Sequence, residues 1–224
     1  MAKPDDRTVR TRRRSDGART HEQILATAME LASVEGLGSL TIGRLARELD
    51  LSKSGVFAHF RSKARLQQQT IEAAREVFER EVLEPGLDAP DGLARLESLC
   101  EAYLSYVERG VFPGGCFFAQ LLAEFDAPRG PIHDEVVELQ RGWLALLERL
   151  IGTAKERGEL DSSVDAQQLA FDLYAPLELA NYLSVLRRDP TVVERGRTAI
   201  RATLTSAGRR EGDRNRLGGR PTKE

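Results

Sequence analysis

Thr41-Ile-Gly-Arg-Leu-Ala-Arg-Glu-Leu-Asp-Leu-Ser-Lys-Ser-Gly-Val-Phe-Ala-His-Phe60, continued by Arg61-Ser-Lys63, decides how this chain folds. Ile42, Leu45, Ala46 and Leu49 recur at helical spacing, and Leu51, Val56, Phe57 and Phe60 resume it after a break at Asp50 to Ser52. Two short helices joined by a tight turn make the plan of a helix-turn-helix. The second helix starts small and polar. Ser52, Lys53 and Ser54 are residue types that fit between phosphate walls and reach phosphates or base edges, where bulky apolar residues would argue burial.

Upstream, Ile24, Leu25, Ala28, Leu31 and Ala32 share one face of a first helix expected over about 19–34 and stopped by Gly36 and Gly38. Thr41 starts the second helix, which ends near Asp50, and Ser52 caps the third, which runs to about Phe60. Ser62 is the expected cap of a fourth helix bearing Leu66, Ile71, Ala74, Val77, Phe78 and Val82 to about Leu83, where Pro85, Gly86 and Pro90 interrupt. Residues 1–18 hold Arg7, Arg10, Arg12, Arg13 and Arg14 with almost no hydrophobic side chain, so a disordered basic arm is expected there. Beyond Pro90 five more helices are expected near 91–109, 114–125, 130–158, 164–187 and 190–207, followed by a disordered tail over 208–224. The fold class is all-α, with a three-helix helix-turn-helix domain at 19–66 and a helical body at 67–207 whose boundary falls inside the fourth helix. The last two helices carry Leu169, Leu173, Leu177, Ala180, Leu183, Leu186, Val192, Val193, Ile200 and Leu204, an apolar allotment that a dimer seam would cover.

The chain has 224 residues, 41% of them hydrophobic, enough for a substantial core, and its 30% charged residues, many Glu and Arg beside Ala and Leu, favour long helices over strands. A net charge of −2 conceals an asymmetry. Residues 1–65 hold 13 Lys/Arg against 8 Asp/Glu, residues 66–206 hold 14 against 24, and residues 207–224 hold 6 against 3. A basic first third on an acidic body points to a polyanion partner for the former and a different task for the latter.

Cys100 and Cys116 are too few for a disulfide scaffold and normal for a reducing cytoplasm. The Arg-rich start lacks the apolar stretch of a secretory signal, and no run of 18 apolar residues offers a membrane span, so a cytoplasmic protein without a membrane partner is expected. No metal-ligand spacing, cofactor motif, nucleophile-base-orienter set, phosphate-cradling Gly loop or catalytic carboxylate pair is present. An enzyme, a metal and a cofactor are therefore not expected. Gly55 inside a helix costs ~1 kcal/mol relative to Ala, which close approach to DNA or to the first helix would justify. Cys116, in Gly114-Gly-Cys-Phe-Phe118, fits a small buried hydrophobe better than a thiol sensor.

Across about residues 20–66, Thr41-Ile-x-x-Leu-Ala, Leu51-Ser52, Gly55-Val-Phe-x-His-Phe60 and Ser62-Lys63 stand in a familiar order and spacing. On them the chain resembles the tetracycline-repressor (TetR) family of transcriptional regulators; past residue 66 only the all-helical plan is shared. The resemblance implies a DNA-binding head on a ligand-binding and dimerisation body. It further implies a homodimeric repressor that binds a palindromic operator on double-stranded DNA and is released by a small-molecule effector. The alternative is a protein of the same fold without such an effector, an activator or a regulator answering to a protein partner.

Carried over by position, Thr41 becomes a phosphate contact, Arg44 a second groove or phosphate contact, Lys53 and Ser54 base readers beside Ser52, and His59 and Lys63 phosphate clamps. The basic arm would reach a minor groove. Phe57 stands where the family commonly has Tyr, so a hydroxyl for a phosphate is missing, and Asp50 stands where Gly is frequent, requiring a left-handed turn at some strain. For the effector pocket the aromatic and polar candidates are Tyr103, Phe117, Gln120, Glu124, Trp143, Phe171 and Tyr174, with Gln140 as a further polar group.

Overall fold

The computed structural model describes residues 6–126, 129–189 and 191–208, with side chains from Gly17 onward, and among these every regular element is a helix. The head comprises α1 (Asp6–Glu35), a single 3₁₀ turn at Leu37–Ser39, α2 (Ile42–Glu48) and α3 (Lys53–Phe60). From it α4 (Lys63–Phe78) passes through a π-turn (Glu79–Leu83) into the short α5 (Glu84–Leu87). The body is completed by α6 (Leu93–Glu108), α7 (Phe117–Glu124), α8 (Pro131–Glu156), α9 (Ala166–Arg187) and α10 (Thr191–Ala207).

Local chemistry sets the helix starts in the head. Thr41, Ser52 and Ser62 each sit in extended backbone before a helix, and their hydroxyls accept from the N–H of Arg44, Gly55 and Arg65. Each such cap is worth ~1 kcal/mol. Between α2 and α3 the chain reverses through Asp50 at φ 52°, the left-handed conformation that its short polar side chain tolerates. Ile24, Leu45, Val56, Phe60 and Leu66 then close a solvent-free core among α1 to α4. That core continues without a break through Ile71 and Ala74 into α6 to α10.

Four sequence expectations meet a different outcome or fall outside the description. The stretch expected as a disordered arm is, from Asp6 on, the first part of α1. Low hydrophobicity argues against a core but not against a helix already anchored at Ile24, and Arg and Ala extend such a helix at little cost. Residues 1–5 of that arm and residues 209–224 of the tail lie outside the described residues. The fourth helix does not stop at Pro85. The i→i−5 bond from Glu84 N–H to Glu79 O widens the ladder just ahead of it, and Pro85 enters the first turn of α5, where no N–H is required. Finally, Leu169, Leu173, Leu177 and Ala180 on α9, with Val192, Val193, Ile200 and Leu204 on α10, are buried within the chain rather than waiting for a partner. The face of α9 that remains open carries Phe171, Leu179, Tyr182 and Leu186, each 57–62% exposed.

Candidate nucleic-acid interface and body cavity

The start of α3 projects from the head. Ser52, Lys53, Ser54 and Gly55 are exposed in succession, and Phe57, one turn on, is 52% exposed although it is aromatic. Ser52 is committed through its hydroxyl to the Gly55 N–H at 3.0 Å, with the Ser54 hydroxyl 3.2 Å away. A β-carbon on Gly55 would meet only that Ser52 oxygen, at 3.1 Å, and nothing of α1. The glycine therefore leaves room toward the outside. His59 is half-buried, its ring 5.5 Å from that of His21, which stacks on Phe60 at 4.9 Å. Burial, and then the neighbouring His59, hold the His21 imidazole below its ordinary pKa.

Two of the expected phosphate contacts are engaged inside the head. Arg44 bonds Glu35 at 2.9 Å and Glu48 at 3.0 Å, and Lys63 donates its ammonium to the Gly38 carbonyl. Their cationic groups neutralise a local acidic pair and a turn carbonyl, interactions that motif spacing does not reveal.

The turn between α1 and α2 is where head meets body. Glu124, at the end of α7, accepts from the backbone N–H groups of both Leu37 and Gly38 at 2.6 Å. Gln67 of α4 donates to the Leu37 carbonyl at 3.0 Å. The loop entering α7 is fixed as firmly: the Gly114 N–H donates to the Ser33 hydroxyl at 3.2 Å, and a β-carbon at Gly114 would fall 1.8 Å from the Ser33 carbonyl. On its other side the Cys116 N–H donates to Asn181 of α9 at 2.7 Å. Thus α7 and its leading loop are pinned to α1, to the α1–α2 turn and to α9.

The opposite side of α7 faces a cavity of about 430 Å³ walled by α4, α6, α7, α8 and α9. Its aromatic lining is interlocked, with Phe78 5.6 Å from both Trp143 and Phe118 and Tyr103 6.0 Å from Trp143. Glu178 lies in this wall and accepts from the Tyr103 hydroxyl at 3.0 Å. Burial raises its carboxyl above the ordinary 4.5, against the Tyr103 and Tyr174 hydroxyls, which pull it down. At the rim Arg75 is paired with Glu135 at 3.0 Å. Cys116 also lines the cavity, and burial pushes its thiol up to about 11, the behaviour of a small hydrophobe rather than a reactive thiolate.

A sequence profile described as "Bacterial regulatory proteins, tetR family" matches residues 24–69, and one described as "Tetracyclin repressor-like, C-terminal domain" matches residues 92–200. The chain belongs to the TetR family. It is therefore a non-enzymatic, DNA-binding transcriptional regulator. Nucleoid occlusion factor SlmA of Aliivibrio fischeri is 35% identical over 94 residues, 41% of this chain and 46% of that protein. The match thus spans about half the length of that relative. The HTH-type transcriptional repressor BepR of Brucella suis is 27% identical over 166 residues, 73% of this chain and 79% of its own. A TetR transcriptional regulator of Chloroflexus aurantiacus superposes with a TM-score of 0.77 at 26% identity, covering 85% of this chain and 96% of that one.

Within this TetR-family regulator the structure brings Tyr103, Trp143, Tyr174 and Gln140 together around the cavity. It does not bring Phe117, Gln120, Glu124 or Phe171 there. Phe117 is buried on another face of α7 against Phe112, and Gln120 lies outside the cavity wall. Glu124 clamps the head, and Phe171 is 61% exposed on the outer face of α9. Sequence reasoning missed Phe78, Phe118 and Glu178. Phe78 stands in an apolar stripe that spacing alone assigns to the core, and a carboxylate on an otherwise apolar helix face, Tyr174 to Glu178, is the available signal for the last.

Proposed function

We propose that this regulator is a homodimeric repressor that reads a palindromic operator with two copies of α3 and leaves it when a small molecule fills the cavity. The supporting observation is the double role of α7. Phe118 lines the cavity, and Glu124, six positions along the same rigid helix, holds the α1–α2 turn of the head. A ligand that prefers a different seat for α7 shifts the head by its difference in affinity for the two arrangements.

On DNA, Lys53 and Ser54 are assigned to base edges, Thr41, Ser52 and His59 to phosphates, and the exposed Phe57 ring to thymine methyl groups. Arg44 and Lys63 are assigned to holding the head together, and the Arg-rich start of the chain to the electrostatic attraction of DNA. The open α9 stripe of Phe171, Leu179, Tyr182 and Leu186 supplies a self-complementary seam for a second copy. Two heads so joined present their α3 helices to major-groove faces ~34 Å apart, or a multiple of that spacing. Such a regulator works in the cytoplasm; among the described residues no helix is long and apolar enough to cross a membrane. Selection of bound sequences from a random duplex pool tests the first half: an inverted repeat is expected, and enrichment of a single half-site overturns the dimer. A compound screen on the selected duplex tests the second. Cavity ligands that never alter DNA binding overturn the effector reading.

A further inference from the structure

We infer that the effector is an apolar molecule bearing one positive charge, seated with its cation between the aromatic rings and the Glu178 carboxylate; the inference rests on the effector reading of the cavity. Four charged side chains enter the cavity wall, Arg75, Glu135, Glu138 and Glu178. Arg75 is consumed by Glu135 at 3.0 Å, and Glu138 is turned to an exposed pair with Arg141 at 2.7 Å. Glu178 alone has no cation beside it among the described residues. Its partners are phenol hydroxyls, Tyr103 at 3.0 Å foremost.

A carboxylate in an apolar wall is costly unless something offsets it, and a hydroxyl offsets only part. The rest of the wall has the matching chemistry. Phe78, Phe118, Tyr103 and Trp143 cross edge-to-face or tilted at 5.6 to 6.4 Å, so that ring faces line the same space. Such faces attract a cation, Trp most strongly, and suit quaternary or protonated amines. An anion would meet the same rings and Glu178 as repulsion. A neutral ligand would leave Glu178 unmatched. A cavity of about 430 Å³ accommodates one compact aryl-alkyl body beside the charged group.

Three probes built on the same phenylbutyl body separate these cases: (4-phenylbutyl)trimethylammonium, its neutral carbon isostere ending in a tert-butyl group, and 5-phenylpentanoate. Trp143 is the single tryptophan of the chain and lines the cavity, so its fluorescence reports occupancy directly. The ammonium is expected to bind about tenfold or more tighter than the isostere, with the carboxylate weakest. In Glu178→Gln, folding checked by circular dichroism, the ammonium is expected to lose about tenfold or more while the isostere is unchanged. Phe78→Leu, which removes the ring but keeps the position apolar, is expected to weaken the ammonium about threefold and the isostere less. Equal binding of ammonium and isostere, indifference of the ammonium to Glu178→Gln, or preference for the carboxylate each overturns the inference while leaving an effector cavity in place. If none of the three changes Trp143 fluorescence, the inference falls. If the ammonium binds as expected yet never alters operator affinity, the cation seat at Glu178 stands, and the effector reading and the effector role inferred from it fall.

Discussion

Head and cavity differ in how their chemistry is laid along the chain. Every residue assigned to a base edge or a phosphate lies between Thr41 and His59, on a helix start or an outward face, whereas the cavity wall draws on five helices from Arg75 to Glu178. In the head, caps, apolar spacing and the left-handed residues Asp50 and Arg61 fix both the fold and which side chains point out. In the cavity no short stretch carries the site, because facing direction there is decided by how α4, α6, α7, α8 and α9 pack. Contiguous sites are set by local rules; gathered sites are set by tertiary contact.

The largest test of that contrast concerns whether the head acts alone. If a second copy covers the α9 stripe, Tyr182→Asp with Leu186→Asp turns a dimer into a monomer. Affinity for an inverted repeat is then expected to fall about a hundredfold or more while a single half-site is bound as before. Both substituted residues are about 62% exposed, so the protomer keeps its core. Sizing that still reports a dimer moves the seam elsewhere.

Legibility followed the same division. The all-α class, the caps at Ser52 and Ser62, the helix start at Thr41, the left-handed Asp50 and the exposed start of α3 are readable, since each rests mainly on neighbours close in sequence. Tyr103, Trp143 and Tyr174 were found in the body because aromatic residues between helices tend to line whatever space is there. Glu124 and Phe171 were misplaced for one reason: composition gives a residue type, but the face of a helix it occupies depends on partners far away. Glu124 meets Leu37 and Gly38 across more than 80 positions. Arg44 and Lys63 have a second engagement that the motif does not reveal, since a cation looks identical whether it waits for phosphate or holds Glu35 or the Gly38 carbonyl.

Within the head, Lys53→Ala is expected to cost about 1–3 kcal/mol on the preferred operator and to relax the base preference at one position. Competition between preferred and random duplexes reads this out; an equal loss on both would return Lys53 to a phosphate role. Across the joint, Glu124→Gln keeps the size of the side chain but weakens its hold on the two turn N–H groups. The coupling between ligand and operator is expected to shrink by about 1 kcal/mol, with ligand affinity itself unchanged. Fluorescence titration with and without operator measures it, and an undiminished coupling would shift the transmission to α4 alone.

Lys63→Ala separates the two readings of that lysine. A residue tied to the Gly38 carbonyl is expected to lower stability by about 1 kcal/mol and leave the salt dependence of DNA binding intact. A phosphate clamp would instead reduce the slope of log affinity against log salt by about one. The second result would restore Lys63 to the DNA-contacting set and extend the contiguous site by one helix.

The smallest effect belongs to the cavity and is one of sign. Burial raises the Glu178 carboxyl above its ordinary 4.5, so the folded chain holds that proton at a pH where the unfolded chain has released it. Below 4.5 both states are protonated and the group is neutral to stability. As pH climbs from there through the raised value, the unfolded state ionises first and stability drains away, then levels off once the folded state has ionised as well. Glu178→Gln cannot ionise and escapes this loss. Melting temperatures of the two proteins are therefore expected to diverge in favour of the variant as pH rises from 4.5 and to run parallel at higher pH, by a margin kept small because the carboxylate is only half-buried and solvent screens it. A gap that stays constant across that range would mean that water reaches Glu178 freely, and the cavity would then lack the partly desolvated carboxylate that sets its chemistry apart from the open, solvated face of α3.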